Sequence, residues 1–535
     1  MKTRIRNLIV ALALLALATL NPQLSTGFAQ GSLTPPPGVP APTMLTLNQM
    51  APRTPISSAP YNITQPGSYY LTTNLTVASG NNAISISANG VTLDLNGFTI
   101  SSTSFDGGTA IYLFGNEGSG IIGNTDITIS NGHITGGVTN KAGVYEGPGF
   151  NGGISSNPTG GTPYNVRVTG VTVSGCFSYG IYLGTGNSTV VESCTVNTVG
   201  GYGIEASSVT HSTAYQCGNI AIMADTASDC YGYSTGSEGL YVSFAANNCY
   251  GNSTSGVGIF VQGNANNCYG NGSGSGDGLY ALNSAENCYG TSSSGFGLRV
   301  YNGNASNCHG YSTSGPGLFA EANAINCYGY SGGAGDGLGA SAANNCYGYS
   351  TGAGQGLNVS QTASGCYGYS GGNGNGVQAE VANTCYGYAN GSGHGLYVTN
   401  AAENCYGYSG GNGDGLHSPG GQANNCSGFS AGSGNGLFVA LANNCGGFSG
   451  SGVGIYAVRN ATGCVGQSTS GVGLNVGLTA NNCSGISTSG TGLTTQIAIG
   501  CYGNSGSGTG LSATVANSCI SSSGDGSIIN KYNMP

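Results

Sequence analysis

The chain has 535 residues, including 102 Gly, 33 Tyr and 19 Cys, lacks Trp, and contains only 5% charged residues. The absence of a strict Gly-X-Y triplet excludes collagen, and the many regularly placed tyrosines are atypical of a disordered chain. The formal charge is −9, and it becomes −12 without Lys2, Arg4 and Arg6 of the N-terminal segment. Nucleic acids and anionic surfaces are therefore excluded as partners, because binding them depends on clustered Lys and Arg.

Residues 1–29 have the features of a signal peptide. Three basic residues precede an apolar run, Leu8 to Leu20, that is too short to span a bilayer, and Gly27-Phe28-Ala29 places small residues at the cleavage position. A membrane anchor is the alternative. The segment predicts export to the extracellular medium, the cell surface or the periplasm, and no later segment is long and apolar enough to span a membrane. Residues 30–60 are rich in Pro and predict an extended leader.

Residues 61–217 contain short stretches in which apolar and polar residues alternate. Ile84-Ser85-Ile86, Val91-Thr92-Leu93-Asp94-Leu95 and Ile127-Thr128-Ile129 have this pattern, which is typical of half-buried strands. Further stretches, Val166 to Val173 and Thr189 to Val196, continue the pattern up to the cysteine repeats. The alternation predicts that residues 61–217 form less regular coils of the same fold as the repeats of residues 218–519, beginning with an N-terminal cap.

A repeat of about 19 residues covers residues 218–519. Its sixteen cysteines, from Cys230 to Cys519, recur at intervals of 18 to 21 residues, and Ala stands three residues before each of them. The unit reads A-x-N-C-Y-G-Y-S-x-x-G-x-G-L. It is too short for two helices and lacks the several leucines of a leucine-rich repeat. It therefore predicts one turn of a solenoid with short strands and Gly-rich corners, and residues 520–535 are predicted to form a C-terminal cap.

The order of residue types within the unit predicts which side chains point inward. Ala and Cys are expected inside, and the Asn before Cys is expected to make the bend between two strands. Asn tolerates a left-handed backbone conformation, and its side chain can bond to its counterpart in the next coil. After Cys, strand alternation places both Tyr positions outward and the Gly between them inward.

Two upstream segments relate the chain to a known family. They are Pro60-Tyr61-Asn62-Ile63-Thr64-Gln65-Pro66-Gly67-Ser68-Tyr69-Tyr70-Leu71 and Val91-Thr92-Leu93-Asp94-Leu95-Asn96-Gly97-Phe98. In these residues the chain resembles bacterial secreted β-helix repeat proteins of the pectin-lyase-like superfamily, over roughly residues 55–535. The resemblance implies an all-β, right-handed parallel β-helix solenoid. It does not imply one function, because the superfamily includes polysaccharide lyases, hydrolases and non-enzymatic surface proteins.

The resemblance implies clustered Asp in a hydrolase, or a basic residue and Ca²⁺-binding carboxylates in a lyase. Two hydrolase-like fragments occur, Asn124-Thr125-Asp126 and Gly393-His394-Gly395, but about 13 coils, or about 60 Å, separate them. A general acid and a general base must both reach the same scissile bond, so the two fragments cannot act together. We therefore expect His394 to be a structural corner residue. The remaining enzyme hypothesis is a lyase or hydrolase site in the irregular coils, within residues 100–217. It requires five residues to converge, which we do not expect: Asp126, Lys141, Glu146, Arg167 and Glu192.

The sequence predicts no cofactor and no metal site. Gly410-Gly411-Asn412-Gly413-Asp414 is similar to a calcium-binding nonapeptide, but its Asp stands one place early and the repeat is about 19 residues long, which favours a Gly-rich corner. The cysteines should form a column with one thiol per coil, whereas zinc requires four converging ligands. Their parallel side-chain vectors disfavour disulfides, so buried thiols are expected.

The tyrosines after each Cys predict two outward rows about 7 Å apart, with about 4.8 Å between successive rings. Stacking alone could account for them, but monomers rarely expose so long an apolar patch without use. We therefore expect a non-catalytic extracellular or cell-surface protein that binds polysaccharide or another partner surface, associates with itself, or serves as a rigid spacer. The predicted binding residues are Tyr231, Tyr250, Tyr269, Tyr289, Tyr328, Tyr347, Tyr367, Tyr386 and Tyr406 in the first row, and Tyr311, Tyr330, Tyr349, Tyr369, Tyr388 and Tyr408 in the second.

Overall fold

The computed structural model of the chain describes residues 52–115, 122–156, 161–524, 526 and 528–534. The predicted signal peptide, the predicted leader up to residue 51, and Asp525, Ser527 and Pro535 of the predicted C-terminal cap lie outside the described residues. The first strand is Thr54–Ile56, inside the segment predicted as leader, and it pairs with Gly67–Leu71. Within the described residues, paired strand structure is therefore present from Thr54, inside the segment predicted as leader.

The chain folds as an all-β parallel β-helix of about 25 turns, with coils of about 19 residues and about 59% of the chain in strands. No helix occurs in the described part. The predicted parallel β-helix with about 19-residue coils is thereby confirmed. Each coil passes through three strand positions, and pairing with the coils on either side builds three parallel sheets along the axis.

Sheet I contains the strands that follow the cysteines, together with their upstream equivalents. Its strands are Leu75–Val77, Thr99–Ser102, Thr195–Val199, Thr213–Cys217, Tyr231–Ser234, Tyr250–Ser253, Tyr269–Gly272, Tyr289–Ser292, His309–Ser312, Tyr328–Ser331, Tyr347–Ser350, Tyr367–Ser370, Tyr386–Ala389, Tyr406–Ser409, Ser427–Ser430, Gly446–Ser449, Val465–Ser468, Ser484–Ser487, Tyr502–Ser505 and Ile520–Ser521.

Sheet II begins after the Gly-rich corner, and sheet III leads to the next cysteine. Strands of sheet II alone are Tyr61–Ile63, Ile84–Ile86, Thr109–Leu113, Gly152–Ser156, Tyr179–Tyr182, Ile259–Val261, Leu279–Ala281 and Leu298–Val300. Strands of sheet III alone are Thr54–Ile56, Gly67–Leu71, Val91–Asp94, Val190–Glu192, Asn264–Asn266, Ser284–Glu286, Ala305–Ser306 and Asn530–Tyr532.

Longer strands pass from one sheet into the next. Those that run from sheet II into sheet III are Tyr202–Thr210, Ile222–Ser228, Leu240–Asn247, Leu318–Ile325, Leu338–Asn344, Leu357–Ser364, Val377–Asn383, Leu396–Glu403, Leu416–Asn424, Leu437–Asn443, Ile455–Thr462, Leu474–Asn481, Leu493–Ile499 and Leu511–Asn517. Ile122–Thr135 and Thr162–Cys176 run from sheet III into sheet I, and Thr139–Lys141 forms a separate antiparallel hairpin with Val144–Glu146.

The predicted inward and outward positions are confirmed in the regular coils. In Tyr347–Ser350, for example, Gly348 and Ser350 are buried while both tyrosines are half-buried on the outer face. A Cβ on Gly348 would lie 2.1 Å from the carbonyl oxygen of Gly356, so only Gly fits against the corner backbone. The Ser350 hydroxyl donates to the Gly335 carbonyl at 2.9 Å, which links sheet I to the corner of the preceding coil. The inward positions of sheet I are therefore occupied by Gly and Ser, and Leu and Val of sheet II, such as Leu357 and Val359, supply the larger core side chains.

The bend before each cysteine is also as predicted. The residue at this position is usually Asn with a φ near +52°, as in Asn326 and Asn345, and Gly takes the place in coils such as that of Gly365. Side-chain amides connect some of these residues from coil to coil: Asn326 donates to Asn307 at 3.2 Å. The column of bends fixes where sheet III ends and sheet I begins, and so fixes the register of the tyrosines.

Candidate functional site

The fifteen predicted binding tyrosines lie together on the outer face of sheet I, and we call them the tyrosine strip. Parallel pairing brings equivalent positions into register, so that Tyr347 pairs with Tyr367 and Tyr349 with Tyr369. The first row continues from Tyr231 to Tyr406 and contains His309 in one coil. The second row begins at Tyr311 and is extended beyond the strip by Phe429 and Phe448.

The rings of the strip stack face to face. Adjacent tyrosines in the first row have ring centroids 4.6 to 5.2 Å apart and interplanar angles of 3 to 20°. Adjacent tyrosines in the second row are 4.4 to 5.4 Å apart, with angles of 2 to 12°. His309 stacks less well, at 6.1 and 5.8 Å from its two neighbours.

Stacking determines which part of each ring is accessible. A ring with a neighbour at such a distance on both sides has both faces covered, and the most exposed members, Tyr289, Tyr311 and Tyr386, reach only 38 to 39% exposure. Ring edges and hydroxyl groups therefore form the outer surface. A sugar can stack only on an uncovered ring face, and in the strip the stacked neighbours cover the ring faces within each row.

The strip is uncharged. From Tyr231 to Ile520, every described outward position of sheet I has an aromatic, aliphatic or uncharged polar residue, or Gly. Where the second row lacks Tyr, side-chain hydrogen bonds connect Asn252, Asn271 and Thr291 in its place. Burial, followed by repulsion from neighbouring tyrosines, raises the pKa of Tyr367 to about 12, so its hydroxyl stays protonated. The strip is therefore a neutral array of hydrogen-bonding groups.

The five charged residues considered for catalysis form separate contacts. Lys141 and Glu146 pair at 2.7 Å on the hairpin, which rests against sheet I because the hydroxyl of Tyr145 donates to the Gln216 carbonyl at 2.9 Å. Arg167 and Glu192 pair at 3.0 Å on sheet III, and both side chains are exposed. Asp126 instead accepts a hydrogen bond from the Asn165 side chain at 2.6 Å. The hairpin pair and the sheet III pair thus lie on different sheets.

Glu205 lines a cavity of about 270 Å³ on sheet II that the sequence pattern does not predict. Glu205 is 8% exposed and pairs in register with Tyr182 of the preceding coil. The other residues that line the cavity are Ser156, Gly161, Thr162, Pro163, Tyr182, Leu183, Gly184 and Thr185. Burial raises the pKa of the Glu205 carboxyl to about 7, which places it in the range used for proton transfer at neutral pH. No short motif marks this residue in the sequence.

All nineteen cysteines are free and buried. In the repeats they stack in a column, as predicted. The thiol of Cys346 donates to the carbonyl of Ala324 in the preceding coil at 3.2 Å, and its backbone amide donates to the sulfur of Cys366 at 3.4 Å. Upstream, burial raises the pKa of the Cys176 thiol to about 12. Such thiols are poor nucleophiles, because the reactive species is the thiolate.

Comparison of the chain with protein-family models and with curated proteins finds no significant match. The likeness to the pectin-lyase-like superfamily therefore rests on the two upstream sequence segments, and the structure shows a parallel β-solenoid. Within the described residues, no helix has the length and apolar character needed to cross a membrane. The properties of the strip and of the Glu205 cavity are the basis on which a function can be assigned.

Proposed function

We propose that this protein is an exported, non-catalytic β-solenoid of the cell surface or extracellular space, and that its tyrosine strip binds a neutral polysaccharide. The proposal rests chiefly on one observation: about twelve consecutive coils display aromatic edges and hydroxyls on one sheet with no charged side chain among them. The signal-peptide pattern of residues 1–29 supports the export part of the proposal.

The geometry of the strip favours an extended ligand over a compact one. The outward groups repeat about every 4.8 Å along the axis, and the aromatic rows extend for about 50 Å. A polymer lying along the axis would make one set of contacts per coil, and many weak contacts on a rigid scaffold add without a large ordering cost in the protein. The neutral surface favours an uncharged polymer over a polyuronate, since a polyanion requires cationic partners.

The binding test is pull-down on insoluble cellulose, chitin and starch, with polygalacturonate as the charged comparison. We expect the protein to bind at least one neutral polymer and to remain bound in about 1 M NaCl, because the strip has no charge to be screened. The informative variant is Tyr347→Phe/Tyr367→Phe/Tyr386→Phe, which preserves stacking and removes three hydroxyls. We expect it to bind at least tenfold more weakly with an unchanged circular dichroism spectrum.

The matched control is Tyr241→Phe/Tyr280→Phe/Tyr456→Phe, which removes three hydroxyls from the outer face of sheet II. It should bind like the wild type. The proposal fails if the wild type binds none of the neutral polymers, or if the sheet I variant binds as well as the control. Concentration-dependent assembly in sedimentation velocity, without polymer binding, would instead identify the strip as a contact between copies of the chain.

A second candidate function is proton transfer on a saccharide in the Glu205 cavity. The observation that favours it is the buried Glu205 carboxyl, with a pKa raised to about 7, in a cavity that Tyr182 also lines. Glycosidases use two carboxylates, and Glu205 is the one carboxylate among the described residues that line the cavity. Release of reducing or unsaturated ends from a polysaccharide by the wild type, and its loss in Glu205→Gln, would establish this function. With polyuronates as substrates, we expect no such products.

A further inference from the structure

Three side chains from two adjacent coils converge at a Gly-rich corner. Asp414 and His417 belong to one coil and His394 to the preceding one, and their ligand atoms lie within 4.8 Å of one another. His417 Nδ1 is 2.6 Å from Asp414 Oδ2, and His394 Nδ1 is 3.8 Å from the same oxygen. The imidazole rings stack with centroids 4.2 Å apart. This is the one group of at least three His, Cys, Asp or Glu side chains within ligand range among the residues that the structure describes.

The Asp414 carboxylate is held in place from the following coil. The backbone amide and the side-chain amide of Asn435 donate to Oδ1 at 2.6 and 3.1 Å. This leaves Oδ2 directed toward the imidazoles. Ligating carboxylates in metal sites are commonly oriented in this way by hydrogen bonds to the second oxygen, and loss of such a bond typically weakens metal binding about 10- to 100-fold.

Other corners show which part of the arrangement belongs to the coil and which part is unusual. Asp336, at the equivalent position three repeats upstream of His394, accepts the backbone amide of Gln355 at 2.8 Å and the side-chain amide of Asn358 at 2.8 Å. A corner carboxylate that caps the next coil is thus a structural feature of the fold. At the corner of Asp414 the amides of Asn435 bond to Oδ1, whereas Oδ2, which in Asp336 accepts a side-chain amide, faces the imidazoles of His394 and His417.

We propose that His394, Asp414 and His417 bind a divalent transition-metal ion, with Zn²⁺ as the favoured ion. Two imidazoles and a carboxylate are suitable ligands for zinc, at about 2.0–2.2 Å from the metal, which places ligand atoms about 3.3 Å from each other. The observed separations of 2.6 and 3.8 Å lie on either side of that value. The side chains of His394 and His417 are 28% and 18% exposed, so an ion can enter and water can complete its coordination.

Metal binding competes with one existing hydrogen bond. The backbone amide of Asp414 donates to His394 Nδ1 at 3.0 Å, so His394 either releases this bond or offers Nε2 to the ion. The alternative role of the three residues is purely structural, as a hydrogen-bonded and stacked corner. The two roles differ in one measurable property, which is stoichiometric metal uptake by the folded protein.

The test is titration of the full, untagged protein with Co²⁺ and Zn²⁺, with absorption spectroscopy and calorimetry as readouts. We expect one equivalent of Co²⁺ to bind without a sulfur-to-cobalt charge-transfer band, and Zn²⁺ to displace it. His394→Gln/His417→Gln should lose this equivalent, and Asn435→Ala should weaken binding about tenfold or more. Asp336→Asn, which changes a corner without imidazoles, should bind like the wild type.

Circular dichroism and thermal unfolding establish that each variant is folded before its titration is interpreted. Zn²⁺ should also raise the melting temperature of the wild type and not that of the double His variant, because a ligand that binds only the folded state stabilises it. Absence of a bound equivalent in the wild type, equal uptake by the double His variant, or a spectrum dominated by thiolate ligands would each overturn the proposal.

Discussion

Glu205 gives the clearest link between burial and a measurable pH dependence. Its pKa in the folded protein is raised from 4.5 to about 7 by burial. Between these values the folded state holds a proton that the unfolded state has released, so stability falls as pH rises from about 4.5 to about 7. At 1.36 kcal/mol per pH unit, the full loss is about 3 kcal/mol, and it remains constant above pH 7. Glu205→Gln removes the titrating group and should remove this dependence.

The assay compares the wild type, Glu205→Gln and the control Glu403→Gln at pH 4.5, 6 and 8. Glu403 is an exposed carboxylate of a regular coil. Urea unfolding gives overall stability, and hydrogen exchange of Tyr202–Thr210 gives the local free energy, since coils of a solenoid need not unfold together. We expect the stability of Glu205→Gln relative to the wild type to rise by up to about 3 kcal/mol between pH 4.5 and pH 8. A difference that is the same at all three pH values would refute the reasoning.

Three further predictions concern the columns of the regular coils. Cys346→Ala should lower the free energy of urea unfolding by on the order of 1 kcal/mol, as for the loss of a small buried group. The thiols should be alkylated rapidly only after unfolding, and fast labelling of the folded protein would contradict their burial. His309→Tyr should create two well-stacked pairs in the first row and raise the free energy of unfolding by about 0.5–1.5 kcal/mol per pair. A lower melting temperature would show that an uninterrupted row of tyrosines does not stabilise the fold. At the bend with φ of 51°, Asn345→Ala should cost about 1–2 kcal/mol because Ala disfavours this conformation. Asn345→Gly, which copies Gly365, should cost less, and equal losses in the two variants would remove the conformational explanation.

The parts of the fold that repeat could be predicted from the sequence. A constant spacing of Ala, Asn and Cys fixes the register of neighbouring coils, and alternation by two residues then assigns inward Gly and outward Tyr without further information. The bend at Asn345 follows from the same spacing, because one residue type recurs where the chain must turn. These predictions succeed because every coil supplies the same evidence.

The Glu205 cavity and the group of His394, Asp414 and His417 are not predicted by the sequence, because each depends on which residues of neighbouring coils meet in three dimensions. Glu205 occurs once, on a strand of sheet II whose outward column also holds Tyr182 and Met223 in the neighbouring coils. Its burial comes from the residues around 161–163 and 183–185 that line the cavity with it, and no periodic pattern reveals such a contact. The sequence does not indicate a site at His417 for a related reason. Its neighbour His394 is 23 positions away, and only the pairing of Leu396–Glu403 with Leu416–Asn424 brings them together.

In-register stacking explains why binding and chemistry are proposed at different kinds of position. Where the repeat is strict, equivalent side chains form columns, and a column of tyrosines offers the same group once per coil. Such a surface suits a long ligand with its own repeat, but it cannot assemble different groups around one atom. Chemistry and metal binding require unlike side chains within a few ångströms, and these meet only where a coil departs from its neighbours, as at Glu205 and Asp414. In this fold, a departure from the repeat is therefore the feature that indicates a localised site, and continuity of the repeat indicates an extended one.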